Sequence, residues 1–277
     1  MTHTRKSLWD SQLVRNLLRN RLASACWRPF SPLYNALLTH VVFRRGVRKQ
    51  IGPYIFRIGV QHRRLATAHY SDEIEWMLQS LKYGMSVFDI GANIGITSLV
   101  FAKAVGSRGS VFSFEPSPDS FASLQEQIRL NRMETIITPL DCAVSNQPGD
   151  MDFWMNEDPY DMQHGPAGVP GQSRCKIQVK TVTVDSFCRE HRLRPDVIKI
   201  DVEGFEPFVL EGAAELIRQT PDITLFVELH PWVWNSIGYD ETKTIELFKQ
   251  LGLTAKTRDG QTLARIPERL HVILKRI

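Results

Sequence analysis

The sequence holds no apolar run long enough to cross a bilayer as a helix, which takes about 20 consecutive apolar residues. It has few cysteines, and Cys26, Cys142, Cys175 and Cys188 form neither a C-x-x-C pair nor a metal-ligand spacing. That excludes a zinc ribbon and a thioredoxin-like redox motif. With no secretory leader visible, the four thiols read as reduced and the chain as cytoplasmic. Acids are nearly missing from the start: residues 1–70 carry 13 Lys and Arg against one acid, Asp10. The remainder carries 21 basic and 29 acidic residues, so a basic segment is joined to an acidic body. The dinucleotide fingerprint G-x-G-x-x-G is absent too, and nothing resembles a nucleic-acid-binding module, so no nucleic-acid partner is expected.

What is present centres on residues 86–115, SVFDIGANIGITSLVFAKAVGSRGSVFSFE. Val87 to Ile90 reads as a buried strand, Gly91 to Gly95 as a turn, and the apolar periodicity after it as a helix to about Val105. A second buried strand, Val111 to Phe114, ends on Glu115. Glycines let a backbone approach a ligand closely, and a helix N-terminus offers unpaired N–H groups. An acid at the next strand end can accept hydrogen bonds from both hydroxyls of a ribose. Asp89, just before the turn, would repel a pyrophosphate and suits a ligand with positive charge.

Downstream, a helix is predicted from Pro118 to Asn131, a strand over Ile136 to Leu140, and added strands over Gly149 to Trp154 and Lys176 to Val182. The Gly- and Pro-rich stretch between those last two reads as a substrate-gating loop containing His164. Alternating strands and helices argue for an α/β fold, a doubly wound, mostly parallel sheet covered on both faces. Ligands then sit at the carboxyl ends of strands, where Asp141 could approach an adenine.

Two further strands break the rule that a central parallel strand is apolar on both faces. The stretch 196–204, DVIKIDVEG, brings Lys199, Asp201 and Glu203 to one strand end, and 223–230, ITLFVELH, brings Glu228 and His230. These five residues are expected to converge on one pocket. His230 or Asp201 is expected as the base that takes a proton from an alcohol, with Lys199 and Glu203 orienting it. The same acids, Asp201 and Glu228 foremost, could instead hold a divalent cation such as magnesium.

The motifs D-I-G-A-N-I-G and F-E-P resemble the S-adenosylmethionine site of class I methyltransferases. With I-K-I-D-V-E-G-F-E and V-E-L-H-P added, the chain resembles the FkbM family of S-adenosylmethionine-dependent methyltransferases over about residues 71–260. The resemblance implies a Rossmann-like, seven-stranded sheet of order 3-2-1-4-5-7-6. It implies O-methylation of a hydroxylated small molecule or sugar-containing acceptor. It also implies a cofactor site at Asp89, Gly91, Asn93, Gly95 and Glu115, with the characteristic acidic strand end at Lys199, Asp201, Glu203 and Gly204. Two rivals stand beside it, a nicotinamide oxidoreductase and a catalytically silent scaffold.

Residues 1–70 are expected to be an appendage to a methyltransferase domain at 71–277. Leu8, Trp9, Leu13, Leu17 and Leu18, interleaved with Arg15 and Arg19, predict a basic amphipathic helix. Such a helix either packs on the body or lets residues 1–50 touch an anionic membrane; the single signal favours packing.

Overall fold

A computed structural model describes residues 46–65, 71–156 and 174–276. The basic helix expected near the start and the expected gating loop with His164 lie outside these residues. Among the described residues, no helix is long and apolar enough to cross a membrane.

The framework is a seven-stranded sheet. Its strands are β3 (Ser86–Ile90), β4 (Ser110–Phe114), β5 (Ile137–Leu140), β9 (Val197–Ile200), β10 (Thr224–Leu229), β11 (Leu253–Lys256) and β12 (Leu270–Arg276). They lie side by side in the order β5-β4-β3-β9-β10-β12-β11. This is the expected 3-2-1-4-5-7-6 arrangement. All neighbours are parallel except β12, which runs antiparallel to both β10 and β11. The apolar runs of the central strands are explained by burial on both faces. Phe88, Ile90, Ile198 and Ile200 enter one hydrophobic cluster, while Val87, Val111, Val197 and Phe226 enter the other.

Three helices cover the second cluster: α1 (Ser71–Leu78), α2 (Ile96–Val105) and α3 (Pro118–Asn131). The apolar set of α2, including Leu99, Val100, Phe101 and Val105, is wholly buried, as a helix hydrophobic nearly all round must be. Ser117 caps α3 by accepting a hydrogen bond from the backbone of Ser120, and Pro118 occupies the first turn, where its missing N–H costs nothing. The opposite face is covered by α4 (Val184–His191), α5 (Glu206–Glu211), α6 (Ala214–Gln219) and α8 (Glu241–Gln250). A four-residue turn of helix, α7 (Pro231–Trp234), follows β10.

Two smaller sheets complete the body. An antiparallel hairpin, β1 (Val47–Ile51) and β2 (Tyr54–Ile58), buries Ile51, Phe56 and Ile58 in the same cluster as α2 and α3. It is pinned to α3 by Asn131, whose side chain accepts from the Arg57 N–H and donates to the Arg57 carbonyl, both at 2.8 Å. These hairpin residues precede position 70, yet they share the core of the sheet. The third sheet, β6 (Ala143–Val144), β8 (Arg174–Val182) and β7 (Gly149–Asn156), stands beside the carboxyl end of β5.

Candidate active site

The turn after β3 is tight for identifiable reasons. Gly91 has φ +78°, and a Cβ there would lie 1.8 Å from the Asp201 carbonyl oxygen, so no side chain fits. Gly95 has φ +87°, and its added Cβ would meet the Leu124 side chain at 2.5 Å. Between them Asn93, also left-handed at φ +50°, turns its N–H onto Glu115 Oε2 at 2.7 Å. The Ser117 N–H donates to Glu115 Oε1 at 2.8 Å. Burial pushes the Glu115 carboxyl up to about 7, against the pull of those two backbone donors. Each oxygen of this carboxylate spends one acceptor position on the backbone and keeps another for a ligand.

A cleft open to solvent begins at this turn. Gly91, Asn93, Glu115, Asp201, Val202 and Glu203 all line it. Phe114, Cys142, Met151, Phe153 and Phe205 supply apolar walls, Met151 and Phe153 arriving from β7. Of the expected cofactor residues, Asp89, Gly95 and Asp141 do not line the cleft. Asp141 is solvent-exposed, and its neighbour Cys142 faces the cavity instead.

Asp89 sits fully buried beneath the turn. Its Oδ2 accepts from Ser98 Oγ at 2.6 Å, and Ser98 in turn accepts from Ser113. The strand register places Asp89 beside Lys199, and Asp89 Oδ1 lies 3.5 Å from the ammonium without a hydrogen bond. Burial raises the Asp89 carboxyl, with Lys199 and Ser98 pulling the other way. Lys199 donates to the Gly91 carbonyl at 2.9 Å and pairs with Asp201 Oδ2 at 3.2 Å. Burial alone would lower its pKa; the charges of Asp201 and Asp89 outweigh that and hold it well above the usual lysine range. Lys199 therefore clamps the glycine turn to the strand end carrying Asp201.

The second acidic strand end is built around a fully buried histidine. His230 Nδ1 is 2.8 Å from Glu206 Oε1, an oxygen that also accepts from the Gly204 N–H at 2.8 Å. The other oxygen of Glu206 accepts from Trp234 Nε1 at 3.3 Å. His230 Nε2 has no hydrogen-bond partner, with Glu228 Oε1 at 3.6 Å, Glu203 Oε2 at 3.7 Å and Asp201 Oδ1 at 3.9 Å. Burial would lower the imidazole pKa, but the hydrogen bond and charge of Glu206 raise it to about 9. Glu203, itself left-handed at φ +51°, is pushed up to about 7 by burial, with His230 opposing. Burial would likewise raise Asp201, but Lys199 outweighs it and the carboxyl lies below its ordinary value.

The structure thus brings Lys199, Asp201, Glu203, Glu228 and His230 together as a cluster, of which Asp201 and Glu203 reach the cleft wall. Glu228 is engaged by Arg269 and lies beside His271, its register partner on β12. Glu206 and Arg269 were not anticipated. Glu206 ends the I-K-I-D-V-E-G-F-E stretch and was open to being read as the carboxylate behind His230. Arg269 lies in a polar loop without periodicity and gave no signal.

The chain matches the methyltransferase FkbM domain over residues 89–252, which is more than half its length. The chain belongs to this family. A curated relative, the hexuronic acid methyltransferase AglP of Haloferax volcanii, is 27% identical over 167 residues, covering 58% of this chain and 63% of that protein. The match therefore spans less than two thirds of the relative. Among solved structures, the methyltransferase FkbM of Methylobacillus flagellatus is 16% identical, with a TM-score of 0.44 over 74% of this chain and 51% of that one. An S-adenosylmethionine-dependent O-methyltransferase of Thermotoga maritima is 13% identical, with a TM-score of 0.46 over 79% and 70%.

Proposed function

We propose that this FkbM-family protein methylates a hydroxyl oxygen of a sugar-containing acceptor, with S-adenosylmethionine as donor. One observation carries the reading: Gly91, Asn93 and Glu115 share a single cleft with the acidic strand end of Asp201 and Glu203. One side offers what a nucleoside needs and the other what a hydroxyl proton needs.

The residues fit the donor. The carboxylate of Glu115, held in place by two backbone N–H groups, has acceptor positions left for two ribose hydroxyls. Gly91 keeps the backbone clear where any Cβ would collide, so a ligand can lie directly on the turn. Asp89 acts from beneath: its negative charge and that of Asp201 are shared with Lys199, and the cluster leaves a potential that suits a sulfonium. The bound donor supplies an electrophilic methyl carbon, and the electron pair of the broken carbon–sulfur bond stays on sulfur.

The chain's own work is to position the acceptor in line and to receive its proton. Asp201 and Glu203 are the carboxylates at the cleft wall, whereas His230 lies behind them and reaches the cleft only through them. Glu206 fixes the imidazole from the rear. Met151 and Phe153 add an apolar face to the cleft, of the kind on which a pyranose ring stacks.

The acceptor class is drawn from the relative, whose name says that it methylates a hexuronic acid. The test is transfer of labelled methyl from S-adenosylmethionine to uronic-acid and neutral oligosaccharides, followed by NMR of the product. An O-methyl signal on a sugar is the expected result. Methylation only of an amine or a carbon acceptor, or none of any sugar, would overturn the reading.

A further inference from the structure

We infer that Asp201, Glu203 and His230 form a divalent-cation site in the wall of the cleft. Three observations converge on it. First, one oxygen from each carboxylate and the imidazole Nε2 all lie within 4.8 Å of one another. Second, Nε2 is fully buried and has no hydrogen-bond partner, although Asp201 Oδ1 and Glu203 Oε2 face it at 3.9 and 3.7 Å. Those separations are too long for hydrogen bonds and a few tenths wider than the edge of a tetrahedral shell with bonds of about 2.1 Å, roughly 3.4 Å. Third, the other ring nitrogen is held by a fully buried carboxylate, Glu206, at 2.8 Å. That is the outer partner that a metal-bound histidine ordinarily has; it holds Nδ1 and leaves Nε2 turned toward the two carboxylates.

Charge points the same way. Lys199 takes the other oxygen of Asp201, and Arg269 takes Glu228, so the neighbouring acids have their own cations. Among the described residues, Glu203 has an ion-pair contact with His230 only. A dication between Asp201 Oδ1, Glu203 Oε2 and His230 Nε2 would displace the imidazolium proton from Nε2 and then meet two negative charges and one neutral nitrogen. One imidazole with two carboxylates suits zinc or manganese better than magnesium, which takes oxygen ligands. The pair foreseen in the sequence, Asp201 with Glu228, is not the set that faces Nε2 most openly, because Glu228 is bound by Arg269. Glu203 is left-handed at φ +51°, beside Gly204 at φ +105°. Binding of the ion does not depend on the methyl-transfer reading; its role does. Facing the cleft, it would bind the acceptor oxygen and lower the pKa of its hydroxyl.

The test is titration of the chelator-stripped full chain with manganese alone, followed by calorimetry and by electron paramagnetic resonance of the free ion. One manganese per chain is expected, with affinity at least tenfold weaker in Glu203→Gln and in His230→Gln. A Glu73→Gln control addresses a separate acidic group, Glu73, Glu228 and His271. It should bind manganese as the unaltered chain does. No binding up to millimolar manganese, or binding lost in Glu73→Gln and kept in Glu203→Gln, would overturn the inference. Binding of S-adenosylhomocysteine is measured on the same samples. Its loss would count against the methyl-transfer reading, and loss of manganese binding alone would count only against the ion.

Discussion

Glu115 carries the clearest consequence at the level of single residues. Its carboxyl rises from an ordinary 4.5 to about 7 because the site buries it. A raised carboxyl favours the folded, unliganded protein below about pH 4.5, and that contribution fades as pH climbs through 7. The ionised form is the one able to accept two ribose hydroxyls. Affinity for S-adenosylhomocysteine should therefore tighten from pH 6 to 8, by up to about tenfold per unit below 7, and then level off. Calorimetry across that range checks this, and Glu115→Gln should give weak, pH-independent binding. Lys199 supports a second prediction. Lys199→Met strands two acidic neighbours, Asp89 fully buried and Asp201 partly so, and breaking a buried pair in this way costs about 3–5 kcal/mol. A lowered midpoint in denaturant unfolding is expected, with partial recovery in the Asp89→Asn, Lys199→Met double variant.

Among the elements, the turn between β3 and α2 separates two glycines that look alike in sequence. A Cβ at Gly91 would collide with backbone, the Asp201 carbonyl, whereas one at Gly95 would meet the end of a flexible leucine. Gly91→Ala should abolish soluble expression or cofactor binding. Gly95→Ala should cost less, about 1–3 kcal/mol through its left-handed φ and the leucine shift, and keep binding. Thermal melts and S-adenosylhomocysteine titration of both variants distinguish them. The same turn shows how far sequence reading reaches. Strand, turn, helix and acid were legible because apolar period and glycine spacing are local signals, and the helical spacing of Phe121, Leu124 and Ile128 placed α3 at Pro118 to Asn131. The chemistry of β9 and β10 was legible as a broken rule, since Lys199 and Glu228 are polar where strands are buried on both faces. Which of those residues reach the cleft was not. Asp89, the last residue but one of β3, and Glu115, just after β4, are both acids near the end of short apolar strands, yet one lies under the turn and the other in the wall.

Across the whole molecule, the hairpin β1–β2 is the part whose place no local pattern revealed. Its docking on α3 depends on Asn131 and Gln127, more than 65 residues away. Ile51, Phe56 and Ile58 are fully buried there, each worth about 1.5–3 kcal/mol. Deleting residues 1–64 should thus lower unfolding stability by several kcal/mol and expose apolar surface on α2 and α3, read by dye binding and calorimetry. The fold as a whole follows from alternating elements and from the antiparallel β12, and it delivers two acidic strand ends and one glycine turn to the same edge.

The most direct test of the central claim is calorimetric titration of the full chain with S-adenosylhomocysteine, alongside Glu115→Ala. One site per chain is expected, with affinity reduced about ten- to hundredfold in the variant, the worth of hydrogen bonds to a charged group at about 1.5–3 kcal/mol. No binding by the unaltered chain, or equal binding by both proteins, would contradict it.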